Sequence, residues 1–178
     1  MKKVILISGK AGSGKDTVAS VIKENFIEDG IPSNRILITH YADLLKYIAR
    51  SYFGWDGVKD IRGRTILQHI GTDIVREQDE NFWTDFIIKI LTLFKEEWDY
   101  VIIPDARFLN EITEIQKHFP TQTVRVSRNF NSFLSTEQKN HSSETNLDDY
   151  VFDAYVENNF SSIEELSAYI KSIIKSFK

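Results

Sequence analysis

Residues 2–17 read KKVILISGKAGSGKDT, and the reading of this stretch sets the architecture. Val4 to Ile7 form an apolar run without polar alternation, as expected of a strand buried on both faces. Gly9, Gly12 and Gly14 follow, and then Val18, Val21, Ile22 and Phe26 recur at helical spacing. Strand, glycine-rich turn and helix in that order suit a phosphate-binding loop. Successive backbone N–H groups curl around an anion there, and the helix offers its positive end. The pattern G-x-x-x-x-G-K-[ST] is met by Gly9, Gly14 and Lys15, but its last place holds Asp16, and a hydroxyl arrives one residue later at Thr17. Gly9, Lys10, Ala11, Gly12, Ser13, Gly14, Lys15, Asp16 and Thr17 are therefore the candidate cradle for a polyphosphate, with Lys15 neutralising charge on the transferring group. The plain alternative is a glycine-rich turn, which the flanking strand and amphipathic helix argue against.

Further along, RILITHY (35–41) predicts a second strand, followed by a helix from Asp43 to about Phe53. Glycines and charges between Gly54 and Gly63 suggest a loop. Helical periodicity returns with Ile66, Ile70 and Ile74, and again with Phe82, Phe86, Ile90 and Phe94. DYVIIPD (99–105) predicts the third strand, with Pro104 at its end because proline cannot donate to a central ladder. A helix from about Phe108 to His118 leads to TVRVSR (123–128), and AYVEN (154–158) is a short fifth strand. The last helix starts with a capping box at Ser161 and Glu164 and buries Ile163, Leu166, Ile170, Ile173, Ile174 and Phe177. Strands separated by helices imply an α/β fold, a mostly parallel five-stranded sheet covered on both faces. The polar, weakly periodic segment 129–149 is long enough to suggest a mobile lid on a single domain.

The chain has 178 residues, of which 42% are hydrophobic and 27% charged, ordinary values for one globular domain. It contains no cysteine, which excludes a disulfide scaffold, a thiolate zinc site and a cysteine nucleophile. The apolar run after Lys2 and Lys3 is too short for a signal peptide or a membrane span, so the expectation is a cytoplasmic protein. With 22 Lys and Arg against 26 Asp and Glu, the net charge of -4 argues against a nonspecific grip on nucleic acid. A small anion held by a local basic cluster fits better, and a homodimer is allowed.

The spacing in GKDT, with one residue between lysine and threonine, matches the G-K-G-T of many nucleoside monophosphate kinases. SGKDT (13–17), YADLLK (41–46), GTDIVR (71–76) followed by FW (82–83), VIIPDARFLNE (101–111) and HSSETNLDDY (141–150) occur together in order. This set, spanning most of the chain, resembles the phage-type deoxynucleoside monophosphate kinases. Leu44 departs from the pattern, since related sequences commonly carry proline after the aspartate. The resemblance implies a P-loop kinase fold and a Mg²⁺-dependent transfer of the ATP γ-phosphoryl group to a (deoxy)nucleoside monophosphate. Animal-type phosphomevalonate kinase shares the SGKD loop, the D-x-R after the third strand and an acidic SE…LD stretch. Dephospho-CoA kinase is a more distant alternative. An ATPase switch without a small acceptor is the rival from another class; a guanine-binding switch would show N-K-x-D, which is missing from the sequence.

Within that reading each candidate has a competing role. Asp16 and Thr17 face a metal–phosphate region, with Asp16 holding a metal-bound water or capping the helix. Asp105, closing an apolar run, is a metal ligand or an N-cap for the helix beginning near Arg107. Arg107 at the carboxyl end of the sheet meets a phosphate or pairs with Glu111 at i+4. Asp43 and Lys46 belong to the acceptor site or form an i,i+3 surface pair. His69, Asp73 and Arg76 share a helix face, and the resemblance makes Asp73 and Arg76, not His69, acceptor contacts. Trp83 packs in the core beside Ile87 and Phe94 or stacks on a base. Arg128 at the lid entrance is a candidate for the donor phosphates, with Lys139 and His141 as weaker cations of the same loop. Glu144 stands where the family pattern places a Ser-Glu pair, which makes it a site candidate.

Overall fold

A computed structural model describes residues 1–129 and 140–175. Five strands form one sheet in the order β2-β3-β1-β4-β5: β1 (Lys3–Ser8), β2 (Ile36–Ile38), β3 (Tyr100–Ala106), β4 (Thr121–Ser127) and β5 (Ala154–Glu157). Every pairing is parallel, which requires a crossover between neighbours and so helices on the faces. The strands are linked by α1 (Lys15–Glu28), α2 (Ala42–Phe53), α3 (Ile61–Gln68), α4 (Phe82–Leu93), α5 (Leu109–His118), the short α6 (Ser142–Thr145) and α7 (Ile163–Ile174). No described helix is long and apolar enough to cross a membrane.

Period-two alternation in β1 divides the core. Ile5 and Ile7 point to the layer made by α1 and α7, where Phe26, Leu166 and Ile170 are buried. Val4 and Leu6 point to the layer of α4 and α5, with Ile87, Leu91, Ile112 and Ile115. Phe26 stacks on Tyr100 at 4.3 Å between ring centroids. A third cluster, Ala49, Trp55 and Ile70, joins α2 to α3 beside the sheet.

Several elements differ from the sequence expectation, each for a local reason. β2 stops at Ile38 rather than reaching Tyr41. Thr39 N still donates to Ile102 O at 3.1 Å, but the His40 amide then turns to Asp43 and those of Tyr41 and Ala42 to Asp105, which starts α2. Pro104 lies inside β3 rather than at its end. The register with β1 shifts between Leu6↔Ile103 and Ser8↔Ala106, and the last partner on β2 is Ile102, so proline sits at a bulge with no ladder bond to make. In α4 the buried face is Trp83, Ile87 and Leu91, whereas Phe82 and Phe86 are each 38% exposed and Phe94 lies past the helix end. That helix is apolar on two faces, and packing against α5 selects the second. α7 is capped one residue later than expected: Ser162 Oγ accepts from Glu165 N at 3.2 Å, and Glu165 accepts from Ser161 N at 3.0 Å. Ile163 is consequently exposed, and Phe177 lies outside the described residues.

The expected loop at 54–63 ends early. Asp60 caps α3 by accepting from Gly63 N at 2.7 Å, so Gly63 is helical. A methyl group on Gly63 would stand 1.9 Å from Val58 O and 2.8 Å from Trp55 Nε1, two atoms that already hydrogen-bond each other. Alanine favours an exposed helix over glycine by about 1 kcal/mol. Here Gly63→Ala is expected to destabilise the protein instead, by about 1–3 kcal/mol from overpacking, as read by urea unfolding. A gain in stability would show that the turn at Val58 yields freely.

Candidate active site

The carboxyl ends of β1 and β3 open into a single cleft of about 300 Å³, where open α/β sheets place their ligands. The loop after β1 forms one wall. Gly14 has φ 89°, a left-handed conformation suited to glycine, and a methyl group there would stand 2.2 Å from Asn158 Nδ2, which bonds Ser13 O at 2.9 Å. At Gly9 a methyl group would meet Val126 O at 2.2 Å. The loop is thus pressed against β4 and the segment after β5. Lys15 Nζ curls over it, donating to Gly9 O at 2.6 Å and Lys10 O at 3.0 Å. Burial, with Arg107 nearby, pulls the Lys15 ammonium down to about 8 against the opposing pull of Glu144, Asp105 and Asp16.

Arg107, in the turn after β3, donates to Ser143 O at 2.9 Å and forms a close pair with Glu144. Glu144 also accepts from the loop amide of Ala11 at 2.9 Å, and it is buried. Burial pushes its carboxyl up, but Arg107 and the Ala11 amide outweigh this and hold it below the usual range. Lys10 secures the same segment by donating to Glu144 O at 2.8 Å and to Asp148 at 2.6 Å. On the far wall Arg76 pairs with Glu111 and stacks on the Phe108 ring at 4.0 Å. Trp83 is buried and donates from Nε1 to Gly71 O at 3.0 Å, so one residue is both core and cleft wall.

Arg76 ends a π-helical continuation of α3, His69–Arg76. Arg64, Gln68, Thr72 and Arg76, spaced by four, all line the cleft. In an α-helix of 3.6 residues per turn, steps of four drift steadily around the axis. The wider π turn drifts the other way, so the change of helix type keeps the four side chains in one line.

A family model described as "Deoxynucleotide monophosphate kinase" matches residues 48–170. The chain belongs to the deoxynucleotide monophosphate kinase family. It is an enzyme, a kinase that binds nucleotide and moves a phosphoryl group to a nucleoside monophosphate. No curated protein sequence matches the chain. Among solved structures it is similar to thymidylate kinase from Ehrlichia chaffeensis (9% identity, TM-score 0.55, covering 98% of each chain). It is also similar to the APS kinase of Mycobacterium tuberculosis in complex with AMPPNP and APS (13%, 0.54, 98% of each). A third is shikimate kinase from Aquifex aeolicus (17%, 0.52, 98% of this chain and 97% of that one). At these identities the likeness shows the fold, that of the P-loop kinases.

In this kinase the sequence-predicted residues divide sharply. Ala11, Gly12, Lys15, Asp16, Lys46, Arg76, Trp83, Asp105, Arg107 and Glu144 line the cleft. Gly9, Lys10, Ser13 and Gly14 of the predicted cradle do not, and neither do the exposed Thr17, Asp43, Asp73 and Arg128. Asp73 faces His69 at 3.3 Å and His141 at 3.7 Å; Asp43 faces Lys46 at 2.8 Å. Asp105 does not cap the helix after Arg107; its two oxygens accept from Tyr41 N and Ala42 N, each at 3.0 Å, at the start of α2. Glu111 does not pair with the Arg107 guanidinium but accepts from its backbone N at 2.6 Å. Of the segment 129–149, residues 130–139, with Lys139, lie outside the described residues, while Ser143, Glu144 and Leu147 are buried against the cleft and core.

The sequence reading missed His40, Lys59, Arg64, Gln68 and Thr72. The four-residue spacing from Arg64 to Arg76 was the available signal; His40 and Lys59 left none. His40 explains Asp16: its Nε2 lies 2.9 Å from Asp16 Oδ1, and its Nδ1 lies 3.4 Å from Asp43. The hydrogen bond to Asp16 raises the His40 pKa above the ordinary 6.5 despite burial, helped by Asp105 and Asp43 and opposed by Lys46. A histidine pKa raised by folding contributes stability that is full below about 6.5 and is lost as pH rises through the folded value. Asp16→Asn is expected to lower the His40 pKa, measured by NMR of the imidazole ring, and to weaken that pH dependence. An unchanged titration would show that the pair does not form.

Proposed function

We propose that the donor is ATP with Mg²⁺, that the acceptor is a deoxynucleoside monophosphate, and that the two phosphate chains meet in this cleft. One observation carries the reading: among the described residues, six lysine and arginine side chains (Lys15, Lys46, Lys59, Arg64, Arg76 and Arg107) line one cleft together with Ala11, Gly12 and Asp16 of the phosphate-binding loop. A single phosphate group would not need them, whereas a polyphosphate and a monophosphate approaching from opposite walls would. The named ligands of the similar APS kinase structure, AMPPNP and APS, support a donor and an acceptor on this fold.

In this proposal Lys15 and the loop amides of 9–17 hold the donor phosphates, apart from those of Ala11 and Ser13, which bond Glu144 and Lys10 O. Arg76, Lys46 and Arg107 receive the acceptor phosphate, with Arg107 between it and the donor. The acceptor phosphate is already a competent nucleophile, so no strong base is required; catalysis is alignment plus charge stabilisation. Asp16 and Asp105 are oxygen donors on the cleft wall, the ligand type Mg²⁺ takes alongside phosphate oxygens and water. The ion, when bound, neutralises charge on the phosphates. Leu45, Leu67, Trp83 and Phe108 supply the apolar surface on which a base is held.

The test is ADP release from Mg-ATP with a panel of ribo- and deoxynucleoside monophosphates, phosphomevalonate, dephospho-CoA and a blank. Turnover is expected with at least one deoxynucleotide and not in the blank. Lys15→Met is expected to lower kcat by on the order of 10²–10³-fold or more with the unfolding midpoint little changed. Turnover independent of every acceptor, or full activity in Lys15→Met, would overturn the reading.

A further inference from the structure

Glu111 is 2% exposed, and the phosphate-binding scheme above gives it nothing to do. Its carboxylate nevertheless connects both walls of the acceptor side. One oxygen pairs with Arg76 Nη2; the other accepts from the backbone N of Arg107 at 2.6 Å and of Phe108 at 3.1 Å. Its own carbonyl accepts from the buried Tyr41 hydroxyl at 2.9 Å. The Arg76 guanidinium is completed by Glu80 O at 3.0 Å and Asn110 Oδ1 at 3.4 Å, with Phe108 beneath it. The arginine on the π-helical segment and the turn that carries the second arginine are thus fixed to one side chain at the third position of α5.

We propose that Glu111 is the positioning residue of the acceptor side, holding Arg76 and the Arg107 turn at one separation so that both guanidinium groups meet the acceptor phosphate together. This rests on the reading that those arginines bind that phosphate. Only a carboxylate does the work. A neutral amide has one acceptor oxygen, and its NH₂ would face either an arginine or two backbone donors.

The charged form is the one that positions, and burial works against it. Burial pushes the Glu111 carboxyl up to about 7, against the pull of Arg76 and the Arg107 and Phe108 amides, while the Asp105 charge adds to the rise. The groups facing it are Arg76 from the π segment, Asp105 and Arg107 from β3 and its following turn, and Tyr41 from the start of α2. A carboxyl raised by folding contributes stability that is full below about 4.5 and is lost as pH rises through about 7. The ionised protein is therefore the less stable form but the correctly arranged one. Protonation as pH falls through about 7 releases Arg76.

Steady-state kinetics of Glu111→Gln against wild type test this. At pH 8 the variant is expected to raise the acceptor KM about 10- to 100-fold, as misplacement of a binding group does, with the ATP KM changed less than about 2-fold. The ratio of wild-type to variant kcat/KM for the acceptor is expected to fall below about pH 7, because the variant lacks the titrating group. If Glu111→Gln does not fold, the wild-type profile decides. An acid limb in acceptor kcat/KM beyond the one set by ionisation of the acceptor phosphate itself supports the proposal, and a profile accounted for by that phosphate alone overturns it. Arg76→Ala separates the two ideas. An unmoved acceptor KM there defeats the reading of the arginines, whereas a raised one with Glu111→Gln silent defeats the positioning role alone.

Discussion

A cleft that gathers cations must hold them against their mutual repulsion, and this constraint shapes the structure around it. Like charges held together in a partly dry site repel strongly, because the local dielectric is far below that of water. The signs are visible in single residues: Lys15 is pulled down by burial and by Arg107, Lys59 by burial and Lys46, and Arg64 by burial and Arg107. Carboxylates answer them one by one. Glu144 takes Arg107, Glu111 takes Arg76, and Asp43 takes Lys46. Removing one partner of a buried pair leaves the other charge uncompensated, and that costs more than the pair contributes. The acidic residues of this site are therefore chiefly holders of cations, which fits a net negative chain that binds anions.

The fold supplies these pairs from distant parts of the sequence. Asp105 comes from the end of β3 and Arg107 from the turn after it, Glu111 from the first turn of α5, Glu144 from the short α6, and Lys15 from the start of α1. The bulge at Pro104 lets β3 run on to Ala106 past the end of β2, carrying Asp105 to the start of α2 and Arg107 to the cleft. The α-to-π transition after Gln68 brings a polar line from Arg64 to Arg76 along the opposite wall. π-helical turns are uncommon and concentrate at functional sites, because their cost must be recovered in some side-chain placement. Here that placement is visible.

How much of this was legible beforehand depended on range. The strand–loop–helix at 2–28 was plain because its signals are local: a double-sided apolar run, glycines where the backbone needs them, and one helical period. The same held for β3, α5, β4 and β5, so the parallel sheet followed. Phase within a helix was less readable: FWTDFIIKILTLF (82–94) is apolar on two faces, and only the tertiary neighbour decides which is buried. Lys15, Asp16, Lys46, Arg76, Arg107 and Glu144 were read as site residues from motif and resemblance, and they line the cleft. Thr17, Asp43 and Asp73 share those motifs, and Arg128 ends a predicted strand, yet none of them lines the cleft, since a motif fixes a residue's position in the chain and not the direction of its side chain. Pairs such as Arg107 with Glu144 or Asp16 with His40 join residues 37 and 24 positions apart, and no local pattern announces them. The opening oddity, an aspartate where the loop pattern expects a hydroxyl, has its explanation in one of those pairs.

The central claim is that one cleft holds both phosphate chains, between the loop at 9–17 and the wall of Arg76. Its most direct test is a binding competition with a bisubstrate analogue, adenosine joined through an oligophosphate to a deoxynucleoside. The account predicts binding tighter than either substrate alone, at one molecule per chain, with competition against both ATP and the acceptor. Competition against ATP alone, leaving acceptor binding unchanged, would contradict it.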